Sequence, residues 1–249
     1  MEVSAATRPQ PGRVNDDAYI VGPSFAAVLD GCTEPVGRDS GCVHDVPWLT
    51  GRLCARLAAG LFGGEDRGLD EILAEAIARV RDDHGGACDL SNPDSPSSTA
   101  TLLRLRGDAV DYLVLGDSPL ALRTADGAVE AIVDDRVEHL PSYTYDAVAR
   151  LRNHADGFWV ASTEPEAAAR ALSGSRRRAD VASALLLTDG ASRLVDRYGR
   201  GWADVMSLAD KAGPEAVVCE AHEEDARVAD VRGKRHDDAT VVFCRFEEF

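Results

Sequence analysis

Lysine is nearly missing from this chain of 249 residues. Of 27 basic side chains only Lys211 and Lys234 are lysine, and 43 acidic residues outnumber them, for a formal net charge of -16. Such a polyanion has no basic face for a phosphate backbone, which excludes nucleic acid and anionic membrane as main partners. The arginine excess reflects coding bias, so no arginine is weighted by its type alone. No apolar stretch approaches the roughly 20 residues that span a bilayer. The polar, proline-containing start Met1–Pro11 lacks an apolar signal core. The six cysteines (Cys32, Cys42, Cys54, Cys88, Cys219, Cys244) include no Cys-x-x-Cys pair. That argues against zinc and disulfide frameworks and for a reducing, cytoplasmic setting. With no internal repeat and no dividing linker, one domain over residues 1–249 is expected, acting as a monomer.

Hydrophobic residues make up 45% of the chain, enough for a sizeable core. Two short strands are expected around the Gly22-Pro23 turn. Asp45 can cap a helix running to Gly63-Gly64, with Leu49, Leu53, Leu57 and Leu61 as one stripe. Asp70 can cap a second helix through about Asp82, stopping at Gly85-Gly86. Residues 87–98 are turn chemistry. The period then becomes two: Thr99–Leu105, Ala109–Leu115, Leu120–Thr124 and Ala128–Val133 read as an antiparallel meander. Beyond it we expect a polar helix at 142–154, a strand Phe158–Ala161 and a helix Pro165–Leu172. A charged loop Ser173–Ala179 and a strand Ala184–Thr188 come next. Helices near 202–211 and 214–229 precede a last strand, Thr240–Phe246. Hairpins and paired helices without alternating strand-helix units indicate α+β over doubly wound α/β.

Carboxylates recur where apolar runs stop: Asn15-Asp16-Asp17-Ala18, Leu29-Asp30-Gly31, Gly116-Asp117-Ser118, Thr188-Asp189-Gly190 and His236-Asp237-Asp238-Ala239-Thr240. A strand ending in Asp-Gly or Asp-Ser aims a carboxylate off the sheet edge, where it must be solvated, paired or bound to a cation. Gathered together, such ends form an oxygen-rich cluster suited to Mg²⁺ or Mn²⁺. Helix caps and turns explain any one of these aspartates, as at Asp108 and Asp126, but explain the ordered series poorly.

In order and spacing these motifs resemble the metal-dependent type 2C protein phosphatase family. The resemblance runs from Asn15-Asp16-Asp17-Ala18 to Asp237-Asp238-Ala239-Thr240, with Val28-Leu29-Asp30-Gly31, Ser97-Ser98-Thr99-Ala100, Leu115-Gly116-Asp117-Ser118 and Leu187-Thr188-Asp189-Gly190 between. It implies a four-layer α-β-β-α sandwich with two central antiparallel sheets and two Mn²⁺ or Mg²⁺ ions in a cleft at their end. By the same resemblance Asp30 bridges the ions and Gly31 offers its carbonyl oxygen. Asp189 and Asp237 complete one ion, and Asp17, with Asp16 nearby, holds the other. Asp117 matches a position that helps bind a third, weaker ion, and Arg13 lies near the family's phosphate-binding arginine. The implied activity is hydrolysis of phosphoserine and phosphothreonine by an activated water, without a covalent phosphoenzyme. Its substrate is a phosphorylated protein or, as an alternative, a small phosphate ester.

Several positions depart from the pattern. Cys32-Thr33-Glu34-Pro35 follows Asp30-Gly31, Pro119 stands where the family carries arginine, and Asp238 replaces asparagine. A catalytically silent binding module of the same fold is therefore the rival reading. Cys32 to Arg38 also fits the Cys-x5-Arg loop of cysteine-dependent phosphatases. In a chain with this many arginines such a match arises readily by chance, and Asp30 and Glu34 raise the thiol pKa, the wrong direction for a nucleophile. His236 is expected to face solvent, and Glu223 to Asp225 to form a solvated helix face. His44, His84, His139, His154 and His222 show no partner pattern.

Overall fold

The computed structural model describes residues 1–32, 37–63, 66–228 and 234–246. Among these, ten strands form two antiparallel five-stranded sheets. One sheet runs in the order β1 (Glu2–Arg8), β10 (Ala239–Arg245), β9 (Val181–Leu187), β6 (Leu120–Thr124), β7 (Val129–Ile132). The other runs β2 (Ala18–Val21), β3 (Phe25–Leu29), β4 (Ala100–Arg106), β5 (Ala109–Leu115), β8 (Leu172–Arg177). Helices α1 (Val46–Gly63) and α2 (Leu69–Asp83) cover the second sheet; α4 (Asp189–Asp196), α5 (Trp202–Ala212) and α6 (Pro214–Arg227) cover the first. Short α3 (Tyr145–Leu151) lies in the 133–171 connection between β7 and β8. The expected α-β-β-α sandwich is what forms.

Three apolar layers hold the four structural ones together. Between the sheets, Ala26, Val28, Leu103 and Val114 meet Leu122, Ala184, Leu186 and Val242. Phe25, Ala27 and Leu29, alternate residues of the same β3, point the other way onto Leu49, Leu53, Leu57 and Ile77. Period-two alternation thus sends one strand into two layers, which is why β3 is apolar throughout. Leu185, Leu187, Val241 and Phe243 pack likewise on Val205, Met206, Val217 and Val218.

The structure corrects several expected elements. β1 forms in the polar start because it pairs with β10 in register from Glu2–Arg245 to Arg8–Ala239, a partner that local pattern cannot show. The expected meander is divided: β4-β5 belongs to one sheet and β6-β7 to the other, and the chain changes sheets at Gly116-Asp117-Ser118. Ser173–Ala179 is largely strand β8 rather than loop, an exposed edge paired with β5. Its arginines suit an edge that must not pair further. Phe158–Ala161 makes only isolated bridges, Ser98–Ala161 and Arg152–Phe158, and Pro165–Arg170 is a 3₁₀ turn. Asp45 does cap α1, accepting from Trp48 N–H at 2.9 Å. Asp70 does not cap α2; that residue is Gly68, whose N–H donates to Glu71 at 3.2 Å. Helix α4, starting at Asp189 itself, was not anticipated.

Candidate active site

All five acidic motifs stand at the entry to or exit from a strand at one end of the sandwich, and backbone approach locks them together. β3 delivers Asp30, whose N–H donates to Thr99 Oγ1 at 3.1 Å and whose carbonyl accepts from Thr99 N–H at 2.9 Å. Thr99 Oγ1 lies 2.6 Å from Ser118 Oγ, so the Ser-Ser-Thr-Ala and Gly-Asp-Ser segments meet behind Asp30. Gly31 has to be glycine: a Cβ there would lie 2.4 Å from the Asp16 carbonyl oxygen. Gly190 is under the same constraint, since its Cβ would stand 1.9 Å from the Asp238 carbonyl oxygen. Asp189, at the first turn of α4, donates its N–H to Asp30 Oδ2 at 3.0 Å.

Asp17 is fixed by two hydroxyls. Thr188 and Thr240 donate to its Oδ2 at 2.8 and 2.7 Å. Thr240 Oγ1 lies 2.7 Å from Thr7 Oγ1, which accepts from Asn15 Nδ2 at 2.8 Å. One polar network therefore ties β1, the Asn-Asp-Asp segment, β9 and β10. Asp238 serves the backbone, accepting N–H groups of Gln10 at 2.7 Å and Asp16 at 2.6 Å. Each amide takes a different carboxylate oxygen, a geometry that an asparagine side chain, with one acceptor oxygen, does not reproduce.

The carboxylates are poorly compensated. Desolvation pushes the Asp30 carboxyl well up from its ordinary range, and the charges of Asp189, Asp17, Asp237 and Asp117 add to it. Asp117 is raised to about 7, by desolvation first and by Asp189 second. Burial raises Asp17 despite its two hydroxyl donors, and Asp189 rises through burial and Asp237 although Arg193 and Lys234 oppose it. Arg193 Nη2 reaches Asp237 Oδ2 at 2.7 Å and Lys234 Nζ reaches Oδ1 at 3.3 Å. His222 Nε2 donates to the Asp237 carbonyl at 3.1 Å.

A cavity of 410 Å³ opens on this cluster, floored by Asp30, Gly31, Asp117, Asp189 and Asp237. Val137, Phe158 and Val160 form an apolar wall from the β7–β8 connection, with Tyr143 and Tyr145 at the rim, 64% and 63% exposed. Two cations that sequence reasoning missed also line it. Arg152 donates from Nη1 to the carbonyls of Pro93 and Ser95 at 2.9 and 3.3 Å, while its buried Nε has no hydrogen-bond partner among the described residues. Lys234, one of two lysines, is the other; its rarity was the available signal. Arg13 lies exposed on a turn closed by its own N–H to the Gln10 carbonyl at 3.2 Å, outside the cavity lining. Asp16 is half-buried beside Gly31.

Other expected roles change. Asp225 is 1% exposed, not a solvated face. It is held by Arg193 at 3.0 Å and by the Tyr198 hydroxyl. His236 is half-buried, its Nδ1 3.9 Å from Asp225. Cys32 packs beside Leu140, Phe158 and Val160, and burial raises its thiol pKa, although Arg152 and Ser97 oppose the shift. Arg38, the other end of the Cys-x5-Arg match, is engaged by Asp94 and Asp146; positions 33–36 of that motif lie outside the described residues. A thiolate nucleophile is not favoured here.

Comparison with known proteins agrees with this geometry. The model of the protein phosphatase 2C family matches residues 7–222. No curated protein sequence matches the chain. Among solved structures, the serine/threonine phosphatase PstP/Ppp of Mycobacterium tuberculosis is similar at 18% identity and a TM-score of 0.66, covering 99% of each chain. The PPM Ser-Thr phosphatase MsPP of Mycobacterium smegmatis, in complex with cacodylate, gives 21%, 0.62 and 99% of each. The PstP catalytic domain in complex with two manganese ions gives 18% and 0.62, over 98% of this chain and 97% of that one. The chain belongs to the protein phosphatase 2C family, and so to a class of enzymes that are Ser/Thr phosphatases.

Proposed function

We propose that this cavity hydrolyses phosphoserine and phosphothreonine monoesters of proteins with the help of divalent cations. The observation that carries the reading is the gathering of Asp17, Asp30, Asp117, Asp189 and Asp237 at one end of the sheets, with the ionisation of the first four opposed. Hard oxygen donors in excess over local positive charge fit Mn²⁺ or Mg²⁺. Asp30, Gly31 through its carbonyl, Asp189 and Asp237 would hold one ion; Asp17 and Asp30, with Asp16 nearby, a second; Asp117 would help with a third. The PstP catalytic domain, similar in fold, is described with two manganese ions. When bound, the cations neutralise the phosphate dianion and acidify water for attack at phosphorus.

The chain's own groups do the rest. Asp30 is the catalytic carboxylate, and its N–H and carbonyl are clamped by Thr99 so that it would present its oxygens to the cations in one orientation. Arg152 presents a guanidinium held by two backbone carbonyls, a preorganised donor for phosphate oxygens. It takes the part the sequence assigned to Arg13. Tyr143 and Tyr145 offer flat, exposed surface to the residues flanking a phosphorylated side chain. We read residues 1–249 as one phosphatase domain acting as a cytoplasmic monomer. Among the described residues no helix is long and apolar enough to cross a membrane.

The test is hydrolysis of p-nitrophenyl phosphate and a phosphothreonine peptide with Mn²⁺, with EDTA and with a thiol alkylator. Turnover that requires Mn²⁺, stops in EDTA and ignores alkylation is expected. Turnover that survives EDTA and stops on alkylation would overturn the reading.

A further inference from the structure

Two short motifs that the phosphatase reading leaves unused, Cys42-x-His44 and His84-x3-Cys88, are 40 residues apart in the chain and converge in space. The first lies on the loop that follows Asp30-Gly31 and leads into α1; the second begins at the residue that ends α2. α1 and α2 pack together, and His44 of this loop meets His84 at the end of α2, ring centroids 5.2 Å apart. All four donor atoms lie within 4.8 Å of one another. Cys42 Sγ is 3.3 Å from Cys88 Sγ, and His44 Nδ1 is 3.6 and 3.5 Å from the two sulfurs. With Zn–S near 2.3 Å and Zn–N near 2.0–2.1 Å, a tetrahedral ion has ligand-ligand edges of roughly 3.3–3.8 Å. The two sulfur–nitrogen spacings fall within that range, the sulfur–sulfur one at its short end, and the His84 ligand atom lies within 4.8 Å of the other three. A disulfide would need sulfurs about 2.05 Å apart, and no disulfide joins these cysteines.

We propose that Cys42, His44, His84 and Cys88 form a structural zinc site. The surroundings prepare each ligand. His84, 4% exposed, has Nδ1 2.8 Å from the Val80 carbonyl, a hydrogen bond that fixes the tautomer and leaves Nε2 as the nitrogen available to a metal. His44 is stacked on Trp48 at 3.8 Å between ring centroids, and its backbone N–H donates to Cys42 Sγ at 3.4 Å, which orients that sulfur. Two thiolates and two imidazoles select Zn²⁺ over the hard ions suited to the aspartate cluster. Four protein ligands leave no open position, so the ion would staple rather than catalyse. It would join the loop after Asp30 to the segment leading to Ser98-Thr99, reinforcing Asp89 N–H to Gly41 carbonyl at 2.8 Å and Asn92 Nδ2 to Asp39 carbonyl at 3.0 Å. The scattered cysteines hid this site, because neither motif alone has a familiar zinc spacing.

The experiment is elemental analysis of the full chain, reduced, exposed to Zn²⁺ and passed over a chelating resin, with Co²⁺ reconstitution beside it. About one zinc per chain is expected, and tetrahedral d–d bands with a thiolate-to-cobalt charge-transfer band. Cys88→Ser and His84→Gln should lose the zinc and melt lower, whereas Cys54→Ser and Asp30→Asn should keep it. Retention in Asp30→Asn separates this site from the aspartate cluster, so either reading can fail alone. If the variants do not fold, the cobalt spectrum of the unaltered chain decides. A folded chain with substoichiometric zinc and no cobalt spectrum overturns the proposal, as does a Cys42–Cys88 disulfide found by mass in chain kept under reducing conditions.

Discussion

Two carboxylates of the molecule, Asp225 and Asp30, are treated in opposite ways. Asp225 is the more deeply buried, at 1% exposure, yet it has Arg193 at 3.0 Å, Arg197 at 3.7 Å and the Tyr198 hydroxyl around it. Asp30, at the cavity floor, has an amide donor and four other aspartates pressing on it. A buried charge with partners is a structural element; a desolvated charge without them destabilises the fold until something positive arrives. The contrast marks which acids hold the molecule together and which are kept for a ligand.

The sharpest break of that comparison is Asp30→Asn. Turnover should fall by about 10³-fold or more, while the metal-free protein melts higher because one uncompensated charge is gone. A lower melting temperature would contradict the assignment. Asp225→Asn should act in reverse: about 3 kcal/mol of stability lost in a denaturant titration, because Arg193 and Arg197 lose their shared partner. Arg152→Ala should lower kcat/KM by roughly 10–100-fold through a weakened phosphate contact, with Arg13→Ala changing it by less than about threefold. Equal losses would return the clamp to Arg13.

The pH dependence should be smaller in size but clear in sign. Asp117 is raised from 3.8 to about 7, and Asp17, Asp30 and Asp189 move the same way. The folded metal-free protein therefore holds protons that the unfolded chain releases, and its stability falls as pH rises from about 4 to about 7. Mn²⁺ competes for the same oxygens, so its stabilisation in a thermal melt should grow from pH 5 to pH 8. A Mn²⁺ effect independent of pH would mean that the ion binds elsewhere.

Motifs whose information is local were legible. The Leu49–Leu61 stripe, the Asp45 cap and the aspartates at strand ends needed only period and turn chemistry. β1 was not legible, because its pairing with β10 spans the whole chain. Nor was the division of the expected meander, since a hairpin pattern does not say which sheet it joins. Arg152 was missed because a lone arginine in an arginine-rich chain carries no signal, and Asp225 because its partners arrive from α4.

The amino-acid pattern alone thus determined the α+β class and the order of the acidic motifs, since alternation and capping are read within a few residues. Only the tertiary structure decided which acids are compensated, which arginine enters the cavity, and that Cys42, His44, His84 and Cys88 meet. Those outcomes depend on distances between segments far apart in sequence, and burial sets the strength of every charge among them.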